Sequence, residues 1–216
     1  MQQLNFEKTK GLLEKYKFPL VKSLLIKSEK NIPNASSKTG FPAVLKISSP
    51  DIIHKSDVGG VKTNLENKEQ IFSAYSEIIK NIKKKKARAK IEGMVLQKQI
   101  EGQEIIVGVK RDPQFDVVLM FGMGGIFVEI LKDISIRVAP VNKQEAIEMI
   151  REIKTINILE GARGKKPVNL EAIAHILVKA GKMALENKKI AELDFNPVIV
   201  DDKKAQIADA RIMVEK

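Results

Sequence analysis

Phe41-Pro-Ala-Val-Leu-Lys-Ile47, with the polar stretch that follows it and contains Asp51-Ile-Ile-His-Lys-Ser-Asp-Val-Gly-Gly60, is the segment on which the reading of this chain turns. Its first half is apolar apart from one lysine and reads as a buried strand. Lys46 inside that run needs a partner or a ligand, because an unpaired ammonium is costly to bury. It can reach the phosphates of a nucleotide, or it can be an edge-strand lysine whose head snorkels to water; from the residue alone both readings stand. The second half, Ser48 to Gly60, reads as a loop rich in glycine, proline and polar residues. It carries His54, one of two histidines in the chain. An imidazole is a nitrogen nucleophile that is largely neutral near pH 7, and its phosphoramidate keeps a high transfer potential. Neighbouring glycine amides and Lys55 can hold such a phosphate. A lone loop histidine can equally be a surface residue, and the stretch leaves both possibilities open. His175 lies in a helical pattern among Ile173, Ile176 and Leu177 and reads as a structural histidine.

Outward from this segment, residues 6–16 and 67–84 read as helices, the second with Ile71, Tyr75, Ile78 and Ile79 at helical spacing. Ser23 to Ile26 reads as a short strand, and Asn34 to Gly40 as a polar, turn-rich joint. Strands follow at Met94 to Leu96, Glu104 to Val109 and Phe115 to Phe121. Helices are expected at Lys143 to Ile153 and Asn169 to Glu186. Ile190 to Val200 and Ala205 to Ile212 read as an antiparallel pair turning at Asp201 to Lys203. Strands and helices thus mix without regular βαβ alternation, an α/β chain of mixed α+β order. It has neither a Gly-x-Gly-x-x-Gly after a strand nor a Gly-Lys-Ser/Thr, which excludes the Rossmann and P-loop classes.

Two further constellations carry chemistry. Phe121-Gly-Met-Gly-Gly-Ile-Phe-Val-Glu129 has three glycines in four positions, which allows positive φ and close backbone approach to phosphate, or simply a turn between strands. Asp194 and Asn196 are two apart and share a strand face, and a hairpin through Asp201 to Lys203 brings Asp209 opposite. Oxygen ligands on adjacent strands suit Mg²⁺, which takes few protein carboxylates and completes its shell with phosphates and water.

The 216 residues are 44% hydrophobic and 30% charged, an ordinary globular composition, with no cysteine. Neither a bilayer-spanning apolar run nor a signal-peptide pattern is present, so no membrane association and a cytoplasmic location are expected. The net charge of +11 fits a phosphate-handling enzyme or a nucleic-acid binder. Lys83 to Lys86 with Arg88 and Lys90 contains no aromatic residue for base stacking and follows a helix, so it reads as a solvated helix end.

These residues together resemble one family. Pro42-Ala-Val-Leu-Lys46, His54-Lys-Ser-Asp-Val-Gly-Gly-Val61, Gly102-Gln-Glu104, Val107-Gly-Val109, Asp112-Pro-Gln-Phe115, Gly122-Met-Gly-Gly-Ile-Phe-Val-Glu129, Arg137-Val-Ala-Pro140 and Glu192-Leu-Asp-Phe-Asn-Pro197 are similar, in this order, to the β subunits of archaeal-type ADP-forming acetyl-CoA synthetases. The resemblance implies an ATP-grasp fold of two α/β lobes, residues 1–95 and 96–216, with ATP or ADP between them. It implies phosphate contacts from Lys46, a ribose contact from Glu104, and an adenine hinge at Gln97, Lys98, Gln99 and Ile100. Gly122, Gly124 and Gly125 would lie beneath the phosphates with Glu129 nearby. Mg²⁺ would sit on Asn196 and Asp209, with Asp194 close by. His54 would be the residue phosphorylated on the nucleotide side, its loop 48–60 moving to face both nucleotide and partner. A CoA-binding α subunit, carrying the acyl-CoA site and a first phosphohistidine, would complete a hetero-oligomer. A stand-alone ATP-grasp ligase that forms an acyl phosphate directly is the alternative enzyme reading, and a basic nucleic-acid-binding module the alternative from another class.

Overall fold

The computed structural model describes residues 1–125, 133–164 and 166–215. They fall into two compact units, Val21–Ile100 with Asn5–Lys8, and Glu101–Lys216 with Met1–Leu4 and Thr9–Leu20. The chain therefore divides at 100/101, not at 95/96, because the strand Gly93–Lys98 completes the smaller sheet through pairs such as Gln97↔Ser23 and Lys98↔Ala43. The N-terminus joins the larger unit because Gln2 and Gln3 pair with Val214 and Met213, and because Leu13 and Phe18 enter its core.

The smaller unit holds β2 (Ser23–Ile26), α2 (Ile32–Thr39), β3 (Ala43–Ser48), β4 (Val61–Leu65), α3 (Lys68–Lys85) and β5 (Gly93–Lys98). Its antiparallel sheet runs β2-β5-β3-β4. In α3, Ile71, Ala74, Ile78 and Ile82 form a buried stripe, and the Asn67 side chain caps the N-terminus by accepting from the Gln70 amide. Lys83, Lys84 and Lys85 fill its last turn, where positive charge complements the helix dipole. The stripe packs against Leu45 and Ile47 of β3 and Met94 and Leu96 of β5. Residues 32–39 are helical where a polar joint was expected. Pro33 stands in the first turn, where its missing N–H is harmless, Ile32, Ala35, Ser36 and Thr39 are buried, and Gly40 ends the helix at φ 78°.

The larger unit holds β1 (Gln2–Gln3), α1 (Phe6–Lys15, whose first residues belong to the smaller unit), β6 (Gln103–Asp112), β7 (Asp116–Met123), β8 (Ile134–Val138), α4 (Lys143–Arg151), α5 (Ile156–Leu159), α6 (Leu170–Glu186), β9 (Ile190–Val200), β10 (Ala205–Ile207) and β11 (Ala210–Val214). Among the described residues its sheet is seven-stranded, in the order β1-β11-β9-β6-β7-β8 with β10 also on β9. Ile173, Ile176, Leu177 and Ala180 of α6 pack with Val107, Leu119, Phe121 and Phe195 in one core. His175 is on the exposed face of α6, so the helix is as expected but the histidine is no part of its buried stripe. The expected strand Ala205 to Ile212 is interrupted. The amides of Ala208 and Asp209 both donate to the Pro197 carbonyl, at 3.0 and 3.3 Å, which separates β10 from β11. No helix among the described residues is long and apolar enough to cross a membrane.

Asp133 offers a test of this packing. Only 4% exposed, its carboxylate accepts from the amides of Lys154 and Thr155, at 2.7 and 2.8 Å, and from the Thr155 hydroxyl. Burial alone would push this carboxyl up, but the donors hold it below its ordinary value. A depressed folded pKa contributes stability that is present above about 3.9, the unfolded value, and is lost as pH falls through the folded one. Asp133→Asn should cost about 1–3 kcal/mol at pH 7. In denaturant titrations the gap to the native chain should narrow below about pH 4; a gap independent of pH would contradict this role.

Candidate functional site

In the larger unit, strand alternation sorts the candidate residues onto one face. Ile105, Val107 and Val109 of β6 point into the core, so Glu104, Ile106, Gly108 and Lys110 face the other way. On β7, Leu119, Phe121 and Met123 are core residues and Gly122 lies opposite. On β9, Leu193 and Phe195 are core residues, which turns Asp194 and Asn196 outward. The Ala210↔Phe195 register brings Asp209 across from Asn196, and the Asn196 amide donates to the Asp209 carbonyl at 3.1 Å. Glu104, Gly122, Asp194, Asn196 and Asp209 therefore share the face turned away from the helices. Asp194 also lies 3.8 Å from the Arg211 guanidinium, and the Asp209 carboxylate accepts from the Ala210 amide at 3.0 Å.

The glycine turn meets this face. The Gly124 amide donates to the Glu104 carbonyl at 2.8 Å. A Cβ on Gly124 would stand 3.0 Å from the Glu104 Cβ and 3.1 Å from its carbonyl oxygen, so any larger residue would have to push the two segments apart by a few tenths of an ångström. Gly125 follows at φ 66°, in the left-handed region. Glu129, expected beside these glycines, lies outside the described residues.

In the smaller unit, Lys46 and Gln97 occupy the face of the sheet opposite its apolar core. Lys46 is 9% exposed and pairs with Val95 and Val61, while Gln97 pairs with Val44 and Ser23. Lys46 is thus buried on an interior strand, on a face that carries Val44, Val61 and Val95 as well as Ser48 and Gln97, and is not an edge-strand lysine. The other residues expected at the hinge are committed to the fold. The Lys98 and Gln99 amides donate to the Lys22 and Pro42 carbonyls, at 3.1 and 3.0 Å. The Lys98 ammonium donates to the Phe41 carbonyl, and the Gln99 side chain exchanges hydrogen bonds with Asn64 of β4. Ile100 ends the smaller unit. His54 is exposed on the 49–60 loop. In that loop the Gly59 and Gly60 amides close turns onto the Ser56 and Lys55 carbonyls, at 2.9 and 2.7 Å.

Sequence reading missed Asp51, Asn81 and Lys85, which hold this loop. Asp51 accepts from the Lys90 amide at 2.7 Å, Asn81 donates to the Gly59 carbonyl at 3.3 Å, and Lys85 donates to the Asp57 carbonyl at 2.7 Å. No local signal marks them, since each partner is 22 to 39 residues away.

The donor chemistry fits Mg²⁺ carried by a nucleotide. Among the described residues no group of three or more His, Cys, Asp or Glu is placed to hold a metal by itself. Asn196 and Asp209 supply two oxygen-bearing side chains on facing strand positions, with Asp194 two residues away, and an ion there depends on phosphate and water for the rest of its shell.

A model of the ATP-grasp domain matches residues 1–214. The β subunit of ADP-forming acetate–CoA ligase I from Pyrococcus furiosus is 48% identical over 206 residues, 95% of this chain and 89% of the relative. Of longer relatives, such as the ADP-forming 4-hydroxybutyrate–CoA ligase of Nitrosopumilus maritimus, the chain spans 30%. The dinucleotide-forming acetyl-coenzyme A synthetase 1 of Ca. Korarchaeum cryptofilum, solved with coenzyme A, Ca-AMPCP and HgCl⁺, has a TM-score of 0.94 at 46% identity, covering 99% of this chain and 94% of that one. The same enzyme with coenzyme A and Mg-AMPPCP, its phosphohistidine segment pointing towards the nucleotide binding site, has a TM-score of 0.84 at 43% identity, covering 99% and 93%. The fold, the glycine turn against Glu104 and these likenesses agree: this chain belongs to the ATP-grasp family, among the β subunits of the ADP-forming acetate–CoA ligases.

Proposed function

We propose that this subunit passes a phosphoryl group between a partner-borne phosphohistidine, its own His54 and ADP, within the net reaction acyl-CoA + ADP + phosphate to acid + CoA + ATP. The observation that carries the reading is His54 itself, exposed at the tip of a loop whose flanks are buried and hydrogen-bonded. A histidine of no consequence needs no such seat.

The chemistry balances. The lone pair of a His54 ring nitrogen attacks phosphorus while the partner's P–N bond breaks, its electrons returning to the partner imidazole. An oxygen of the ADP β-phosphate then attacks the same phosphorus, and the His54 P–N bond breaks to restore the imidazole. In this reading Lys46 compensates phosphate charge, Gly122, Gly124 and Gly125 let backbone approach the phosphates, and Glu104 takes the ribose. Gln97 to Ile100 flank the adenine. Asn196 and Asp209 would hold Mg²⁺, with Asp194 in support, and the chemistry supplied there would be neutralisation of phosphate charge.

The likeness to a protein called a β subunit, and to a solved enzyme that holds coenzyme A as well as nucleotide, supports a CoA-binding partner. Acyl-CoA-dependent ATP synthesis should appear only when this chain is mixed with such a partner. Synthesis by this polypeptide alone, with no phosphate ever on the protein, would favour direct acyl-phosphate chemistry.

A further inference from the structure

The loop that carries His54 is short of freedom. Ile52 and Val58, 4% and 7% exposed, both enter the core of the smaller unit. Between them lie only Ile53 to Asp57. The amino-terminal flank is tied by Asp51 to the Lys90 amide, and the carboxy-terminal flank by Asn81 and Lys85 of α3 to the Gly59 and Asp57 carbonyls. The exit is fixed too, since the Ile47 amide donates to the Gly60 carbonyl at 2.8 Å. A Cβ on Gly60 would meet the Ile47 Cγ2 at 2.6 Å and the Lys55 carbonyl oxygen at 2.9 Å, so the turn is packed tight against β3. His54 is two residues from the Ile52 anchor, which limits its Cα to about 7 Å of that point even with the tip fully extended.

We infer that Asn81 and Lys85 are positioning residues that hold the His54 loop in place, so that the histidine receives and passes on its phosphoryl group without the loop leaving its seat. This rests on His54 being the carrier. It replaces the expected movement of the whole 48–60 loop with adjustment of a five-residue tip. Ile53, 58% exposed beside His54, belongs to that tip.

The geometry supplies its own test. A Cβ on Gly59 would stand 3.6 Å from the Asn81 Cβ, within the roughly 3.5–4.5 Å span of disulfides, in a chain that has no cysteine. Gly59 lies at φ 66°, so a cysteine there is strained; the Gly59→Cys, Asn81→Cys variant that folds is locked by oxidation and released by reductant, and phosphorylation by radiolabelled Mg-ATP is measured in both forms of one protein. A seated loop predicts that the oxidised form labels at least as fast as the reduced one. A tenfold loss on oxidation, restored by reductant, would overturn the inference while leaving His54 as carrier. If the native chain takes no acid-labile phosphate, or His54→Ala still takes it, the carrier reading itself has failed.

A second variant guards against misfolding at Gly59. Lys85→Met should slow labelling roughly fivefold, the rate equivalent of one lost hydrogen bond. Mg-ATP affinity should stay unchanged, exchange of the Gly59 and Gly60 amides should speed up, and Lys85→Arg should restore the rate. Native labelling by Lys85→Met would remove Lys85 from this role.

Discussion

His54→Ala is expected to abolish the phosphate that the native chain acquires from Mg-ATP, while nucleotide affinity stays the same. The native label should survive base and be lost in acid, as a P–N bond requires and an acyl phosphate or a serine ester does not. ADP should remove it again, because transfer between an imidazole and ADP is close to balanced in energy. His175→Ala, altering the exposed face of α6 in the other unit, should label normally and serves as the control. Affinity should survive because His54 is exposed on the loop tip and anchors neither core. Full labelling of His54→Ala, located elsewhere by peptide mapping, would end the phosphohistidine mechanism and leave the direct ligase.

The second large effect belongs to Asp209. Asp209→Ala is expected to weaken Mg-ADP binding by about 10- to 100-fold, the value of a charge-assisted contact of roughly 1.5–3 kcal/mol. Binding of ADP in the presence of a chelator should change little, since the carboxylate acts through the ion. Asp209→Asn should fall between, because it keeps an oxygen for the metal and for the Ala210 amide but gives up the charge. Calorimetry with and without Mg²⁺ separates these terms, and circular dichroism checks that the β10–β11 interruption still forms. An equal loss with and without the ion would assign Asp209 to the fold instead of the metal.

Why Asp209 is so placed shows where sequence reading runs out. Ala205 to Ile212 looks like one alternating strand, and its local pattern cannot reveal that the amides of Ala208 and Asp209 both turn to Pro197. That interruption sets the phase of β11, so that Ile212 reaches the core and Asp209 faces Asn196. Likewise Asn34 to Gly40 is polar enough to pass for a joint, and only burial of Ile32, Ala35, Ser36 and Thr39 makes it a helix. The strands Val61–Leu65 and Ile134–Val138 were not foreseen at all. β4 is exposed at Thr63 and Asn64 and has no apolar run, whereas β8 alternates Ile134, Ile136 and Val138 with Ser135 and Arg137, a strand pattern that was overlooked and whose apolar side is the exposed one.

What the sequence determined by itself was local and periodic. Ser23–Ile26 and Ile190–Val200 were legible to the residue, and α3 and α6 nearly so, because burial on one side writes a period of 2 or 3.6 into the chain. The His54 to Val61 motif was legible as a family resemblance, while its residue types alone left a phosphate carrier and a surface loop equally open. Tertiary structure decided which of those residues stand together. Glu104, Gly122, Asn196 and Asp209 are spread over more than a hundred positions, and they share a face only through the registers β6–β7, β6–β9 and β9–β11 and a bulge between Ile105 and Val107. The seat of His54 was decided in the same way, by a helix whose Asn81 and Lys85 reach back 22 and 28 residues to hold it. Pairing and packing across such separations depend on which segments meet, and a one-residue slip would turn each of these side chains to the opposite face.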